Sequence, residues 1–177
     1  MQDEKNQLTK IYRYYYPVEE AGERPMQIYD ICIDKKQRVW IATHAGLAMI
    51  NEPTGRFSSF SRDTVFGRLP NFSNNFIDGM LLMPDGKIWI GAYSGLVTFD
   101  PDTYRYDSTF ADPEFPALKQ LPRRRIYRLL LDNNNNIWFG TVSNGVIFYD
   151  RKKQHLKKIS INEGLADNLV NALAKDN

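Results

Sequence analysis

One phrase is written three times in this chain, as VWIATHAGLAMI (residues 39–50), IWIGAYSGLVTF (88–99) and IWFGTVSNGVIF (137–148). Its tryptophans, Trp40, Trp89 and Trp138, are spaced at intervals of 49 residues. A repeat of this period indicates stacked supersecondary units, none of which can bury its apolar surface alone. The sequence therefore predicts a modular architecture.

Each repeat is predicted to form four antiparallel strands. Apolar runs open the repeats at Ile28, Ile77 and Ile126, and a polar turn separates each run from the tryptophan phrase. Asn, Gly and Pro turns between β-branched and aromatic runs are typical of β-hairpins. A glycine marks a second hairpin, and a third turn leads to a weaker, more polar strand. The first three strands are apolar on both faces, as in a sheet covered on both sides, whereas the fourth has the pattern of an outer edge strand.

Doubly covered four-stranded sheets that repeat at this period are the blades of a β-propeller. We therefore expect an all-β chain that forms a single propeller fragment over residues 1–177. Complete blades are expected at 26–60, 76–109 and 126–160, with the closing strand of a preceding blade at 8–16 and the opening strand of a further blade at 169–177. In the last segment Val170 and Asp176 match Ile28 and Asp34. Because propellers need about four to eight blades, the ring is incomplete, which predicts a longer chain or completion by another copy.

The amino-acid composition limits the classes of function that this chain can have. Hydrophobic residues make up 42% of the chain and charged residues 25%, which is ordinary for a globular protein. A net charge of +2 gives no argument for a nucleic-acid partner. The single cysteine, Cys32, falls in a predicted inner strand, where a buried and inert thiol is expected. No stretch of about 18 apolar residues occurs, so no membrane contact is expected within this segment.

No pattern for a metal, a cofactor or a catalytic group is present. The two histidines, His44 and His155, lie in unrelated positions, and there is no Gly-rich phosphate loop or nucleophile elbow. Asp30 and Asp78 could act as a glycosidase pair only if the fold held them at a suitable separation. We therefore expect no metal, no cofactor and no catalytic residue here.

Two longer stretches, RVWIATHAGLAMINEPTGRF (38–57) and KIWIGAYSGLVTFDPDTYRY (87–106), resemble the two-component regulator propeller repeat, and GLADNLVNALAKDN (164–177) resembles the lead-in to another. The order of Trp, small residue, Gly and aromatic-Asp carries the resemblance, which covers about residues 26–177. Two departures occur: Met83-Pro84 replaces the usual acidic residue, and Asn144 adds a residue before the third glycine. Both are turn variations that leave the blade pattern intact.

The resemblance implies a function. In that family the repeats form two consecutive propellers in the extracytoplasmic sensor of hybrid two-component systems, common in gut Bacteroidetes, which detect glycan fragments. It implies a periplasmic, non-catalytic sensing segment, with a histidine kinase elsewhere in the full-length protein. A protein-binding propeller scaffold and a polysaccharide-degrading propeller enzyme are the alternatives.

A ligand site is expected where the inner strands begin. Turns within the blades are short, but the links 61–75 and 110–125 are long, and long loops are often functional. Aromatic rings beside arginine forks suit sugars, since rings stack on apolar sugar faces and guanidinium groups bind hydroxyls or carboxylates. The candidate ligand-binding residues are Asp30, Arg68, Tyr93, Arg124, Arg125, Tyr127, Arg128 and Asn144.

Structural interpretations of the same residues stay open. The run Arg123–Arg125 also fits a solvated or salt-bridged loop, and the three tryptophans fit a packed core. The expected partners are an oligosaccharide and either a second copy, as a two-fold dimer, or the remainder of a longer chain. No nucleic-acid partner is expected.

Overall fold

The computed structural model describes residues 15–16, 24–25, 27–51, 56–60, 76–107 and 115–176. The strands in these ranges are β1 (Tyr15–Tyr16), β2 (Arg24–Pro25), β3 (Ile28–Ile33), β4 (Val39–Thr43), β5 (Gly46–Asn51), β6 (Arg56–Phe60), β7 (Ile77–Leu82), β8 (Ile88–Ala92), β9 (Gly95–Asp100), β10 (Arg105–Asp107), β11 (Ile126–Leu131), β12 (Ile137–Thr141), β13 (Val146–Asp150) and β14 (His155–Ile159). Two short 3-10 helices, Pro116–Gln120 and Ile161–Glu163, accompany them.

The strands form three four-stranded antiparallel meanders in chain order. They are β3 to β6, β7 to β10 and β11 to β14, which we call the first, second and third blades. The inner strands β3, β7 and β11 lie side by side, so the blades stack around a common axis. The all-β class and the incomplete propeller predicted from the repeat are confirmed. The strands β1 and β2 pair with each other, and most of the predicted closing strand 8–16 lies outside the described residues.

Each inner strand is bulged at the same place. The register of its pairing shifts between Ile28 and Asp30, between Ile77 and Gly79, and between Ile126 and Arg128. A bulge of this kind re-aims side chains at the end of a strand. We call this end of the sheets, where the inner strands begin, the bulge end, and the opposite end, which holds the first turn of each blade, the hairpin end.

An aspartate closes the first turn in two of the three blades. The Asp34 carboxylate accepts hydrogen bonds from the backbone N–H groups of Lys36 and Arg38, at 2.8 and 3.0 Å, and from the Trp40 indole at 2.9 Å. The Arg38 guanidinium also binds it. Burial opposes ionisation of Asp34, but these donors outweigh it and lower the pKa of its carboxyl below the usual value.

The third blade repeats this arrangement, and the second does not. Asp132 accepts hydrogen bonds from the Asn136 backbone at 2.8 Å and from the Trp138 indole at 3.1 Å. In the second blade Met83 occupies the position and packs in the core beside Trp89. The carboxylate that ends the inner strand therefore closes the turn in two blades, whereas in the second blade Met83 packs in the core and Asp85, within the turn, accepts from the Lys87 N–H at 3.0 Å.

Two hydrophobic clusters lie between neighbouring blades. Trp40 of the first blade packs with Ile77, Met80 and Phe99 of the second. Trp89 occupies the corresponding place in the cluster between the second and third blades. Both tryptophans are buried, as predicted. Trp138 is only half-buried, because a side chain that faces the next blade needs that blade to cover it.

The described part of the second long link is not an open loop. Residues 116–120 form a 3-10 helix, and Phe115, Ala117, Leu118 and Leu121 are buried in the cluster beside Trp89. These residues therefore serve packing between the blades, which the length of the link did not indicate. Their apolar side chains gain more from filling the gap between two blades than from exposure.

The C-terminal residues continue onto the exposed face of the third blade. A capping box between Ser160 and Glu163 starts the second 3-10 helix. The Val170 N–H then donates to the Thr141 carbonyl at 2.9 Å, and the Gly145 N–H donates to the Asn168 carbonyl at 2.9 Å. No ladder pairing occurs over residues 171–176, so an opening strand of a further blade at 169–177 stays a prediction.

Candidate functional site

The bulge end brings charged and aromatic side chains of three blades together. Its bulged residues are Tyr29, Asp78 and Tyr127, which occupy equivalent positions in the three inner strands. Because the inner strands are neighbours, these positions lie close to the common axis. Phe76, Tyr93 and Arg125 lie around them.

A bidentate ion pair joins the second and third blades at this end. The Asp78 carboxylate is buried, and its two oxygens accept hydrogen bonds from Arg125 Nε at 2.9 Å and from an Arg125 terminal nitrogen at 2.7 Å. The carboxylate raises the pKa of the Arg125 guanidinium above its usual range. A fork of this geometry is the strong form of an ion pair, and it neutralises both charges.

Aromatic rings enclose the Arg125 guanidinium. Its carbon lies 4.7 Å from the ring centre of Phe76, 4.6 Å from that of Tyr127 and 5.8 Å from that of Tyr93. Tyr29 extends the group, since its ring centre lies 4.8 Å from that of Phe76. Cation–π contacts hold the arginine in place and orient the rings around it. Tyr93 remains 51% exposed and therefore presents its ring to solvent.

Arg128 lies across the inner strands of all three blades. Its guanidinium donates to the Tyr127 carbonyl at 2.9 Å, to the Tyr29 carbonyl at 3.4 Å and to the Asp78 carbonyl. These carbonyls belong to the three bulged residues, which no strand ladder satisfies at that point. Arg128 therefore ties the blades together near the axis.

The structure divides the predicted ligand residues into two groups. Arg125, Arg128, Tyr127 and Tyr93 form the cluster around the ion pair. Asp30 is nearby and binds the protein itself, because its carboxylate accepts hydrogen bonds from the Met80 N–H at 2.8 Å and the Ile31 N–H at 2.9 Å.

The other predicted residues lie at the edge of this group. Asn144 sits in the second turn of the third blade, where its N–H donates to the Thr141 hydroxyl at 2.9 Å. The Arg124 side chain is exposed, while its N–H donates to the Pro122 carbonyl at 2.8 Å. Arg68 lies outside the described residues.

Two contributors to this cluster, Phe76 and Asp78, stand outside the predicted set of ligand residues. Phe76 stacks against Arg125, and Asp78 pairs with it, but neither was placed among the ligand residues. The 49-residue period carries the missing signal, since it makes Gln27, Phe76 and Arg125 equivalent positions in three blades. A residue and its equivalent in the next blade are neighbours in a stack, so Phe76 and Arg125 could have been paired on that ground.

Both aspartates at the described bulge end are engaged within the protein. Both oxygens of Asp78 are occupied by Arg125, and Asp30 accepts two backbone N–H groups. Among the described residues, no group of three His, Cys, Asp or Glu side chains is placed to hold a metal ion. The same part of the chain contains no helix that is long and apolar enough to cross a membrane.

The fold of this chain is similar to that of several solved structures. An extracellular domain assigned to a hybrid two-component system of B. thetaiotaomicron is 24% identical over 82% of this chain, with a TM-score of 0.61. A second such domain from that organism is 17% identical over 85% of the chain, with a TM-score of 0.60. This chain covers only 18% of each of those chains. A virginiamycin B lyase from Staphylococcus aureus is 17% identical over 86% of this chain, which covers 46% of the lyase, with a TM-score of 0.55. No curated protein sequence matches the chain.

The three sheets and these likenesses define a segment of a β-propeller. The family model of the two component regulator propeller matches residues 22–45 and 120–143. The matched segments include Asp34 with Trp40 and Asp132 with Trp138, the two turns that a carboxylate closes. The chain carries repeats of the two-component regulator propeller family.

Proposed function

We propose that this chain is a ligand-sensing propeller segment in the periplasmic sensor of a hybrid two-component system, and that it responds to glycan fragments without catalysing a reaction. The repeats of the family and the likeness to extracellular domains support the sensor assignment. The bulge end is the proposed ligand site. Signalling then requires that the ligand bind one arrangement of the propeller better than another.

One observation carries the choice of this site. The tryptophan position is the same in all three blades, whereas the bulge positions hold Tyr29-Asp30, Asp78-Gly79 and Tyr127-Arg128. Every blade packs against its neighbours in the same way, so the residue types at packing positions recur from blade to blade. Side chains that differ among equivalent positions and converge near the axis are those a specific ligand would use.

The geometry favours contact through rings and hydroxyls. The Asp78 carboxylate already neutralises Arg125, and Arg128 is committed to backbone carbonyls. The groups that face outward are the Tyr93 ring and the exposed Arg124, with Asn144 in the adjacent turn. Aromatic stacking with a few polar contacts is a mode of binding that suits a sugar.

The test is a glycan array probed with the purified chain, followed by calorimetry on each oligosaccharide that binds. We expect Tyr93→Ala to weaken binding about ten-fold or more, which corresponds to about 1.4 kcal/mol. Arg124→Ala is expected to weaken binding of acidic oligosaccharides by a similar factor, since a charge-assisted contact contributes roughly 1.5 to 3 kcal/mol.

Lys152→Ala is the matched control, because Lys152 is exposed in the third turn of the third blade and belongs to the hairpin end. Its affinity should equal that of the wild type. Equal affinities of all three variants and the wild type for the same oligosaccharide would show that the ligand binds elsewhere. Product formed from a polysaccharide would contradict the non-catalytic assignment.

A further inference from the structure

Residues 168–176 cross the third blade from its bulge end to its hairpin end. The Val170 N–H donates to the carbonyl of Thr141, the residue at which β12 ends beside the start of β11. Five residues further on, Lys175 Nζ donates to the side-chain oxygen of Asn133 at 3.1 Å, in the first turn of the blade. The segment therefore runs in the same direction as β11, the inner strand of the third blade.

Two equivalent glycines, Gly91 and Gly140, define the register of this segment. A Cβ atom added to Gly91 would lie 2.7 Å from the Ile126 carbonyl oxygen and 2.9 Å from Ile126 Cγ2. One added to Gly140 would lie 2.7 Å from the Val170 carbonyl oxygen and 3.2 Å from Val170 Cγ1. A backbone oxygen and a branched methyl group cover the glycine in both places. Val170 therefore takes the position, against the third blade, that Ile126 takes against the second.

This register gives Asn171 the bulge position of the segment. Tyr127 follows Ile126, and Asn171 follows Val170 in the same way. Asn171 is thus the next member of the series of bulged residues, which in the three blades are Tyr29, Asp78 and Tyr127. The segment adds a fourth side chain at an end of the propeller where equivalent positions already differ.

The contact between the second and third blades indicates the neighbour of Asn171. A Cβ atom added to Gly79 would lie 2.7 Å from the Tyr127 carbonyl oxygen and 3.4 Å from Arg128 Cα. The residue after the bulge position of one blade therefore adjoins the bulged residue of the next. In the third blade that residue is Arg128, whose guanidinium binds the carbonyls near the axis. Asn171 is accordingly expected beside Arg128.

We propose that Asn171 is a further ligand-binding residue of the bulge end, where its carboxamide binds neighbouring hydroxyl groups of a sugar unit. This inference rests on the proposed function. A carboxamide carries one acceptor oxygen and two donor hydrogens, so it can bind two hydroxyls at once. Asp30 and Asp78 are engaged within the protein, and Arg128 binds backbone carbonyls. Asn171 is exposed, and its uncharged group favours a hydroxyl over a carboxylate or sulfate.

Calorimetry with a panel of hexasaccharides of glucose, mannose, xylose, arabinose or galacturonate tests this role. For the panel member that the wild type binds most tightly, Asn171→Ala should weaken binding about three- to ten-fold, as expected for the loss of a neutral hydrogen bond. Asn171→Asp keeps the shape and an acceptor but removes the donors, so it should also bind neutral members more weakly. Asn134→Ala is the matched control, because Asn134 is exposed in a hairpin-end turn. Its affinity should equal that of the wild type.

Tyr93→Ala distinguishes failure of this inference from failure of the proposed function. Weaker binding in Tyr93→Ala with unchanged binding in Asn171→Ala would leave the ligand site at the bulge end and exclude Asn171 from it. Unchanged binding in both variants, or a wild type that binds no panel member, would contradict the proposed function and this inference together.

The placement of Asn171 can also be measured without a sugar. Nuclear Overhauser effects between the side-chain amide of Asn171 and the protons of Arg128 are expected, because the register makes the two residues neighbours. Their absence, with effects between Val170 and Gly140 present, would overturn the inference whatever the calorimetry shows.

Discussion

The aspartates at the two ends of the inner strands bind in opposite ways. At the hairpin end, Asp34 and Asp132 each bind donors within their own turn, and the arrangement recurs two repeats apart. At the bulge end, Asp78 reaches an arginine 47 residues away in the next blade. The ion pairs between the first and second blades lie instead at the hairpin end, where Asp102 binds Lys36 and Arg38. The hairpin end thus shows an arrangement that two of the three blades share, and the bulge end shows an ion pair that joins one particular pair of blades.

The comparison teaches how a repeat protein can be interpreted from a single sequence. Equivalent positions share a backbone, so a residue type that recurs reports a demand of the fold. Where the residue type differs between blades although the backbone is the same, a requirement other than the fold determines it. Met83 marks the limit of the argument, since it differs from Asp34 and Asp132 yet serves packing beside Trp89.

The largest expected effect belongs to the repeated tryptophan. Trp40→Ala should lower the free energy of unfolding by about 3 to 5 kcal/mol, because it leaves a cavity in the cluster between two blades. Trp138→Ala should cost clearly less, since its side chain is only half-buried. Urea denaturation of both variants measures the difference. Equal losses would show that Trp138 is covered in solution.

The second-largest effect on stability is expected from the ion pair at the bulge end. Arg125→Ala leaves the buried Asp78 without its partner, and breaking a buried pair costs about 3 to 5 kcal/mol. Because about a quarter of the Arg125 side chain is exposed, we expect about 2 to 3 kcal/mol. Denaturation of this variant and of Arg124→Ala, which should change stability by less than about 0.5 kcal/mol, checks the contrast. A negligible loss of stability in Arg125→Ala would show that the ion pair at the bulge end does not stabilise the fold.

A smaller, pH-dependent effect is expected at the hairpin end. Asp34→Asn should cost about 1 to 3 kcal/mol at pH 7, since the carboxylate accepts hydrogen bonds from charged and neutral donors. The pKa of Asp34 is lowered in the folded chain, so the stability it contributes is present above the unfolded pKa of about 3.9 and is lost as pH falls through the folded pKa. The variant should therefore lose less stability than the wild type on acidification below about pH 4.

Denaturation of both proteins between pH 7 and pH 2 gives this measurement. Asp85→Asn is the control, because the exposed Asp85 in the corresponding turn accepts one backbone hydrogen bond, from Lys87 at 3.0 Å. Identical acid profiles for the Asp34 variant and the wild type would mean that the carboxylate does not close the turn.

Much of the fold was predictable because its signals are local. Turn residues and apolar runs specify each hairpin, and the 49-residue period specifies how hairpins group into blades. The pairing of Asp78 with Arg125 was not predicted, since it depends on how two blades meet. The 3-10 helix at 116–120 was not predicted because Pro116 and its polar neighbours have the composition of a loop, and only the gap between blades makes Ala117 and Leu118 part of the core. The exposure of Trp138 likewise depends on what lies beyond the third blade.

The central claim is that the varied end of the blades binds the ligand and the repeated end holds the fold. Amide chemical shifts of the chain, recorded during titration with an oligosaccharide found on the array, test it without any substitution. The account predicts that the shifts move around Tyr93, Tyr127 and the turn at 142–145, while the turn at 132–136 stays unchanged. Shifts confined to the hairpin-end turns would contradict it.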